Sequence, residues 1–377
     1  MSASIEIQPV ARTRAGIRRF LEVPYGIYAG DPRWVAPLVY DLSKVFTDAN
    51  PLFEHAEMQL WVARREGVDV GRIAALRDHE HLRIHQDGTV FFGFFESVND
   101  PEVTRGLFAA VRAWAKEREG RRLVGPTNPT ANDECGLLVR GFDSPPAFMM
   151  PYNPEYYVEL LEGEGFRKAK DLLAFYVDIA RSPLDRLGRI AEKTRRRYPE
   201  LTFRPVRRRT LDGDLAKVKE VYNEAWEENW GFVPMTDAEI NFLAARLKPL
   251  LEEGLVWVVE SPTETVAFML ALPDFNEALQ PLRGRLCTPR LVHFLPYLFR
   301  WKSTRLCRVL TLGIKERYRG RGLEAVMLTE GFKVGLRLGF QGAEASWVLE
   351  DNEPMCRMME AFSATVYKTY RLYEQPL

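Results

Sequence analysis

Hydrophobic and polar positions follow the same succession of patterns in two stretches of the chain. The first stretch opens with alternation typical of an antiparallel hairpin and continues with a strand and an amphipathic helix. That helix has an Asp-Pro start and ends at Gly120. The predicted elements are a hairpin over 60–76, a strand over 89–97, a helix over 100–119, the strand RLVGP, a helix over 154–166 and a strand over 172–179.

The second stretch repeats this order. Its predicted elements are a strand over 201–206, helices over 214–228 and 236–251, a hairpin of LVWVVES and TVAFMLALPDF, the strand RVLTLGIK, a helix ending near Leu338, a strand over 344–350, a helix from Glu353 and a strand over 366–374. Sequence identity between the two stretches is negligible, so the repeat concerns only the order of elements.

The length of 377 residues also favours two domains, because single hydrophobic cores rarely grow this large. We predict domains at 1–180 and 201–377, joined by a charged, Pro-containing linker at 181–200. Residues 277–304 are predicted to be an insertion between two strands of the second domain. Their apolar run RLVHFLPYLFRW is predicted to pack as a helix.

Composition excludes several classes of protein. With 52 basic and 52 acidic residues the formal net charge is zero, which disfavours nucleic acid as a partner. Four scattered cysteines form no disulfide or zinc pattern, and the histidines of DHEHLRIH lack a further ligand, so we expect no metal. No signal-peptide core is visible, and the longest apolar run contains Pro296 and Arg300. These features predict a cytoplasmic protein without a membrane partner.

The sequence RVLTLGIKERYRGRGLEAVML places glycines and arginines where a strand passes into a helix. Such a junction leaves backbone N–H groups unpaired at a helix N-terminus, which suits a pyrophosphate. Gly320 and Gly322 allow close approach to the backbone, and Arg317, Arg319 and Arg321 can supply charge. Neither the P-loop pattern nor the dinucleotide-binding glycine pattern is present.

The remaining pattern, R-x-x-G-x-G over 317–322, resembles the acyl-CoA pyrophosphate loop of the GCN5-related N-acetyltransferase (GNAT) superfamily. The elements over about 200–377 resemble that family as well, and residues 55–180 resemble a degenerate copy without a phosphate loop. The resemblance implies an α/β fold of two tandem GNAT-like domains, each a mixed, partly splayed β-sheet flanked by helices.

In this family the pantetheine arm of the cofactor pairs with the fourth strand, here residues 310–314. A backbone N–H near Leu312 is then expected to polarise the thioester carbonyl. Asn352 matches an asparagine that commonly contacts the pantetheine. The resemblance thus assigns cofactor binding to Leu312, Gly313, Ile314, Arg317, Arg319, Gly320, Arg321, Gly322 and Asn352.

The family often has a tyrosine that protonates the leaving thiolate, but Met359 occupies the matching position here. We predict that Tyr367, rather than Tyr370 on the opposite face of the strand, replaces it. A general base for the amine is expected among nearby carboxylates, with Glu350 and Glu228 as the candidates. These glutamates can equally be solvated.

The segment YNEAWEENWGFVPMT corresponds to the turn that commonly walls the acceptor site in this family. We therefore expect Trp226, Trp230 and Phe232 to contact the acceptor, together with Asn132 from the polar loop of the first half. The expected activity is transfer of an acyl group, most often acetyl, from CoA to a small-molecule or peptide amine. A non-catalytic acyl-CoA sensor and an aminoacyl or peptidyl transfer enzyme are the alternatives, and the oligomeric state stays open.

Overall fold

The computed structural model describes residues 4–227, 229–299 and 301–377, apart from the side chain of Asp212. The chain divides into two compact units. Unit 1 comprises Met1–Leu172, Leu279–Phe294 and Lys368–Leu377, and unit 2 comprises Leu173–Ala278 and Leu295–Tyr367. Two strands, β9 (Arg167–Asp178) and β15 (Thr365–Pro376), begin in one unit and end in the other.

Unit 1 contains eight shorter strands and five helices in its described residues. They are β1 (Glu6–Val10), α1 (Arg14–Ile27), α2 (Val39–Val45), β2 (Ala56–Arg65), β3 (Val68–Asp78), α3 (His79–His85), β4 (Thr89–Ser97), α4 (Pro101–Lys116), β5 (Arg122–Gly125), β6 (Thr127–Asn128), β7 (Glu134–Cys135), β8 (Leu137–Arg140) and α5 (Tyr157–Gly163).

The main sheet of unit 1 has the order β1-β2-β3-β4-β5. The first three pairings are antiparallel and the pairing of β4 with β5 is parallel. Side chains alternate between two cores, so that Trp61 and Ala63 pack in one cluster and Leu60 and Val62 in the other. The sheet is therefore buried on both faces, which explains why its strands read as nearly continuous apolar runs.

Unit 2 contains the remaining elements. They are α6 (Leu184–Arg197), β10 (Thr202–Pro205), α7 (Leu211–Ala225), α8 (Asp237–Leu247), β11 (Val256–Glu260), β12 (Thr265–Pro273), α9 (Asn276–Leu279, whose last residue is assigned to unit 1), α10 (Leu295–Leu298), β13 (Leu306–Ile314), α11 (Leu323–Leu338), β14 (Gly342–Leu349) and α12 (Glu353–Ala361).

The sheet of unit 2 has the order β10-β11-β12-β13-β14. Its pairings are again antiparallel three times and then parallel, between β13 and β14. Helix α11 packs on β12 and β13 and contacts α6. Its apolar stripe, which includes Met327 and Leu328, is buried in the same core as Val259 and Met269. The mixed α/β architecture expected from the sequence is confirmed.

Three segments differ from the sequence-based expectation. Residues 184–197, placed in the predicted linker, form helix α6 and belong to unit 2. Residues 79–85, for which the sequence analysis predicts no helix, form helix α3, which Asp78 caps by accepting from the backbone N–H of Glu80 and His81.

The third segment is the insertion. Its apolar run does not pack as one helix, because it forms a 3₁₀ turn at Pro289–His293 and a single helical turn, α10. Neither turn buries a residue. Within the described part of the chain, no helix combines the length and apolarity needed to cross a membrane.

Candidate active site

The parallel pairing of β13 with β14 is short. Its register runs from Leu306 opposite Gly342 to Val309 opposite Ala345 and goes no further. Strand β13 nevertheless continues to Ile314 and stays paired with β12 on its other side. From Leu310 onward, the edge of β13 that faced β14 is therefore not paired with that strand, and the two strands part at this point.

A β-bulge marks the place where the strands part. Thr311 lies opposite Leu270 and Val309 opposite Ala271, so Leu310 is the extra residue. The Thr311 side-chain oxygen (Oγ1) is buried and has no hydrogen-bond partner among the described residues. A buried hydroxyl without a partner is costly, so this position is suited to a polar ligand such as pantetheine.

The glycine loop that follows β13 has the backbone an anion site needs. Gly320 and Gly322 have φ of 72° and 80°, a left-handed conformation that favours glycine. Gly322 is the N-cap of α11 and offers no side-chain hydrogen bond to the first N–H groups of the helix. Glu324 lies in that first turn, where burial raises the pKa of its carboxyl and so favours the uncharged acid.

The two glycines differ in their surroundings. A Cβ atom on Gly320 would meet nothing within 4 Å, whereas one on Gly322 would lie 2.7 Å from the Thr194 side-chain oxygen. Gly322 is therefore also needed for packing against α6. Gly320 is the better position at which to test ligand binding separately from stability.

The side chains of the three arginines stabilise the loop through hydrogen bonds and an ion pair. Arg319 donates to the carbonyl oxygens of Ala225 (2.8 Å) and Ile314 (3.3 Å), which ties the loop to the end of α7. Arg321 donates to the Arg317 carbonyl oxygen at 2.9 Å, and Arg317 forms an ion pair with Glu264. The arginines thus stabilise the conformation of the loop in addition to supplying positive charge.

Lys315 also holds the start of this loop in place. The sequence analysis did not identify this residue. It is 1% exposed and pairs with Glu220, Glu224 (3.1 Å) and Glu264 (2.9 Å). Burial opposes its charge, but the hydrogen bonds to these carboxylates raise the pKa of Lys315 above its ordinary value. The cluster holds the start of the loop against α7 and the β11–β12 hairpin.

A second charged cluster, Arg308, Glu344, Ser346 and Tyr367, lies next to the point where β13 and β14 part. Arg308 lies opposite Glu344 in the strand register, and its side chain donates to the Ser346 hydroxyl at 2.9 Å. Ser346 and Tyr367 both donate short hydrogen bonds to the Glu344 carboxylate. Glu344 is 1% exposed, whereas Tyr367 is half-buried.

This second cluster can move a proton, since a phenol and a carboxylate share a hydrogen bond beside a permanent positive charge. The sequence analysis named Tyr367 but missed its partners. The only signal was weak, because Arg308 and Glu344 are the first residues of the two predicted strands, where charged side chains are commonly exposed.

The other predicted catalytic and pantetheine-contacting positions lie elsewhere. Glu350 is exposed after the end of β14, and Glu228 lies outside the described residues. Asn352 caps α12 by accepting from the Met355 N–H at 3.2 Å. Met359, which replaces the family's tyrosine, is 4% exposed in the core.

Of the residues predicted to contact the acceptor, Trp226 comes closest to the candidate site. Its ring covers Gly313, where a Cβ atom would lie 2.5 Å from the Trp226 ring carbon Cζ3. Phe232 is buried and reaches this group through Tyr222, whose ring centroid is 5.7 Å from its own. Trp230 is half-buried in the same turn. Asn132 belongs to unit 1, in a turn where its N–H donates to Thr130.

Unit 1 has no comparable opening at the matching strand. The bulge in β4 lies between Gly93 and Glu96, and the Phe94 N–H donates to the Asn128 side chain at 2.6 Å. A Cβ atom on Gly93 would lie 1.6 Å from the Thr127 carbonyl oxygen. Helix α4 begins at Pro101 with the side chain of Asp100 as its cap. The chain itself therefore occupies the positions that are open in unit 2.

The fold is similar to the solved structure of a tandem GNAT protein from the clavulanic acid biosynthesis pathway. The TM-score is 0.60 at 13% sequence identity, and the match covers 99% of this chain and 98% of that one. The protein therefore has the fold of the GCN5-related N-acetyltransferases in its tandem form. No family model matches the sequence.

Two curated relatives match over the full length of the chain. The bacterial ceramide synthase of Caulobacter vibrioides is 35% identical over 389 residues, covering 100% of this chain and 98% of that protein. Protein YghO of Escherichia coli is 32% identical over 387 residues, with the same coverage. The chain belongs to the family that includes these two proteins.

Proposed function

We propose that this protein is an acyltransferase that joins the acyl group of an acyl-CoA to the amino group of a long-chain amino alcohol. The carrying observation is the glycine loop at an uncapped helix N-terminus, beside a strand edge left open at a bulge. The full-length similarity to a protein named a ceramide synthase supports the choice of acceptor, because a ceramide is an amide of this kind.

The donor is proposed to bind along β13 and the start of α11. The backbone of the glycine loop and the first N–H groups of α11 would hold the pyrophosphate. The open edge of β13 over 310–314 would pair with the pantetheine arm in the manner of an added strand, with Thr311 supplying a hydroxyl. The assignment of the polarising N–H to Leu312 stays a prediction.

The reaction requires one proton to move from the amine to the thiolate. The amine nitrogen forms a bond to the thioester carbon, the carbon–sulfur bond breaks, and one proton passes from the amine nitrogen to the thiolate sulfur. Tyr367 is the half-buried group that can reach the reactants, and Glu344 is the buried carboxylate that can hold the proton meanwhile. Tyr367 gives its own proton to Glu344 as it takes one from the amine. It then gives a proton to the thiolate and takes the first proton back from Glu344.

Arg308 is placed to stabilise a charged carboxylate at Glu344. Its Nε atom is 3.8 Å from the nearer carboxylate oxygen, and both side chains are almost fully buried. A buried carboxylate without such a partner would become protonated and could no longer accept the proton. Glu344, rather than Glu350 or Glu228, is therefore the carboxylate we assign to the reaction.

Purified protein tests this proposal with four pairs of substrates. Acetyl-CoA and palmitoyl-CoA are each combined with sphinganine and with a short amino alcohol, and amide and free thiol are measured together. We expect equal amounts of amide and thiol, with palmitoyl-CoA and sphinganine as the preferred pair. A preference for acetyl-CoA would instead favour transfer of an acetyl group, as the resemblance to the GNAT superfamily implies.

CoA binding without any amide would instead favour the non-catalytic sensor. Failure to bind any acyl-CoA would direct attention to aminoacyl or peptidyl transfer, which uses a different donor.

A further inference from the structure

The insertion concentrates exposed apolar side chains. Eleven large hydrophobic residues are exposed in the described part of the chain, and six of them fall within 286–301. These six are Leu286, Leu291, Val292, Leu298, Phe299 and Trp301. An exposed apolar cluster of this kind in a globular protein commonly marks a contact surface.

The part of the insertion in unit 2 shows this most clearly. Leu298, Phe299 and Trp301 are 58%, 56% and 77% exposed, and α10 buries none of its residues. The rings of Phe299 and Trp301 stack with centroids 5.2 Å apart. These side chains pack mainly on each other, so their apolar area is presented to the surroundings.

Polar contacts fix the conformation of this segment. Glu277 accepts from the Tyr297 hydroxyl at 3.2 Å and from the Arg305 backbone N–H at 2.9 Å, and it lies 3.6 Å from the Lys302 ammonium. The exposed apolar residues thus contribute little to the fold, which leaves their presence to be explained by an external contact.

Charge accompanies the apolar residues. Between Ala278 and Arg305 the sequence has five arginines and one lysine but no aspartate or glutamate. The whole chain has a formal net charge of zero, so the net charge of +6 on this segment leaves −6 on the remainder. Lys302 and Arg305 flank the exposed rings and are themselves 57% and 69% exposed.

We infer that the unit 2 part of the insertion, residues 295–299 and 301–305, docks the protein on the surface of an anionic phospholipid bilayer. Trp, Phe and Leu side chains favour the boundary between headgroups and acyl chains, and flanking Lys and Arg side chains favour anionic headgroups. This charge complementarity distinguishes a lipid surface from a second copy that docks through the same patch, because that patch would present the same positive charge. The inference departs from the sequence-based expectation of no membrane partner, which rested on the lack of a signal peptide and of a spanning segment.

Vesicle flotation tests the inference without any substrate, and so independently of the proposed activity. Wild-type protein is mixed with vesicles of phosphatidylcholine, with or without phosphatidylglycerol. We expect binding to the anionic vesicles that weakens as salt rises. Trp301→Ser with Phe299→Ser, and separately Lys302→Glu with Arg305→Glu, should each lower the bound fraction at least tenfold at limiting lipid. Val68→Ser removes an exposed apolar residue at the start of β3 and should bind as wild type.

A second experiment uses vesicles that contain brominated phosphatidylcholine, whose bromine atoms quench the fluorescence of nearby tryptophan side chains. Wild-type tryptophan fluorescence should be quenched more than that of Trp301→Phe, and the serine and phenylalanine variants should melt as wild type does. Failure of wild type to bind anionic vesicles, or undiminished binding by both double variants, would overturn the inference. So would a wild-type dimer in ultracentrifugation that the serine variants dissociate, because the surface would then be an interface between copies.

Discussion

Units 1 and 2 share one order of strand pairing but differ at one junction, where the fourth strand passes into the following helix. In unit 2, β13 leads through two left-handed glycines to α11, and no side chain caps the helix. In unit 1, β4 leads to α4, which begins with Asp100 accepting from the Glu102 N–H at 2.8 Å. An N-cap carboxylate and a bound pyrophosphate would occupy the same place, so a helix start can serve one or the other.

The strand before the helix differs in the same way. The bulge of β4 is closed by Asn128, which accepts from the Phe94 N–H, and by the Thr127 backbone. The matching bulge of β13 leaves the edge from Leu310 onward unpaired with β14. The comparison indicates that ligand binding is decided by what closes a strand edge and a helix end, even where strand order is the same. We propose on this basis that unit 1 is a copy without an acyl-CoA site.

The largest expected effect concerns the chemistry that we propose for unit 2. Tyr367→Phe and Glu344→Gln should each lower turnover about a hundredfold or more, because general acid–base help is typically of that size. The double variant should be no slower than the slower single one, since the two groups act as a unit.

Steady-state rates and CoA affinity together check this prediction, and affinity should stay within about twofold of wild type. Tyr370→Phe is the matched control, because Tyr370 is fully buried and belongs to unit 1. Full activity in both single variants would remove Tyr367 and Glu344 from the mechanism.

A smaller effect is expected at the glycine loop. Gly320→Asp adds a carboxylate where the pyrophosphate would bind and should weaken CoA binding at least tenfold, or about 1.4 kcal/mol. Gly320→Asn is the control, because asparagine has nearly the same size and also tolerates a left-handed backbone. Calorimetry should give one site per chain in wild type, with affinity falling much further for Asp than for Asn. Equal losses of CoA affinity in the Asp and Asn variants would mean that the shape of the side chain, rather than its charge, weakens binding.

In unit 1 we expect a change of stability without a change of activity. Asn128→Ala leaves the N–H of Phe94 without its acceptor beside a 6% exposed side chain, and should cost about 1 to 3 kcal/mol. Denaturant unfolding followed at several wavelengths measures the loss, and kcat and KM should not move. A large fall in kcat would show that unit 1 takes a direct part in the reaction.

The smallest effect is expected for Asp100→Ser. Serine is still a good N-cap, so only the ion pair with Arg65 is lost, and stability should change by about 0.5 kcal/mol. The pKa of Asp100 is lowered by hydrogen bonds from Arg65 and the Glu102 N–H although burial opposes the shift. The variant should still bind a single CoA, because Asn128 and Thr127 continue to close the strand. A second binding site would mean that the carboxylate alone excludes CoA from unit 1.

The glycine loop was accessible from the sequence because its signal is local. A strand pattern, two glycines and a helix pattern are adjacent along the chain, and the positive φ values of Gly320 and Gly322 follow from their place in that turn. The fold was accessible for a related reason, since alternation and helical spacing set the order of elements. The mixed α/β sheet with flanking helices was implied by the resemblance to the GNAT superfamily.

Contacts between distant residues were not accessible. Tyr367 meets Glu344 because β15 and β14 lie on either side of β9 in the sheet, an arrangement that no local pattern specifies. Lys315 meets Glu220 and Glu264, which are 95 and 51 residues away. The insertion was wrongly predicted to pack as a helix, because an apolar run shows that area must be covered without showing what covers it.

Hydrogen exchange with and without CoA tests the central claim most directly, because it reads both junctions in one experiment. Saturating CoA should slow exchange of backbone amides about tenfold or more over 310–326, which spans the open edge of β13 and the start of α11. Amides over 89–105, which span β4 and the start of α4, should exchange at unchanged rates. Equal protection of both segments, or protection of 89–105 alone, would contradict the account.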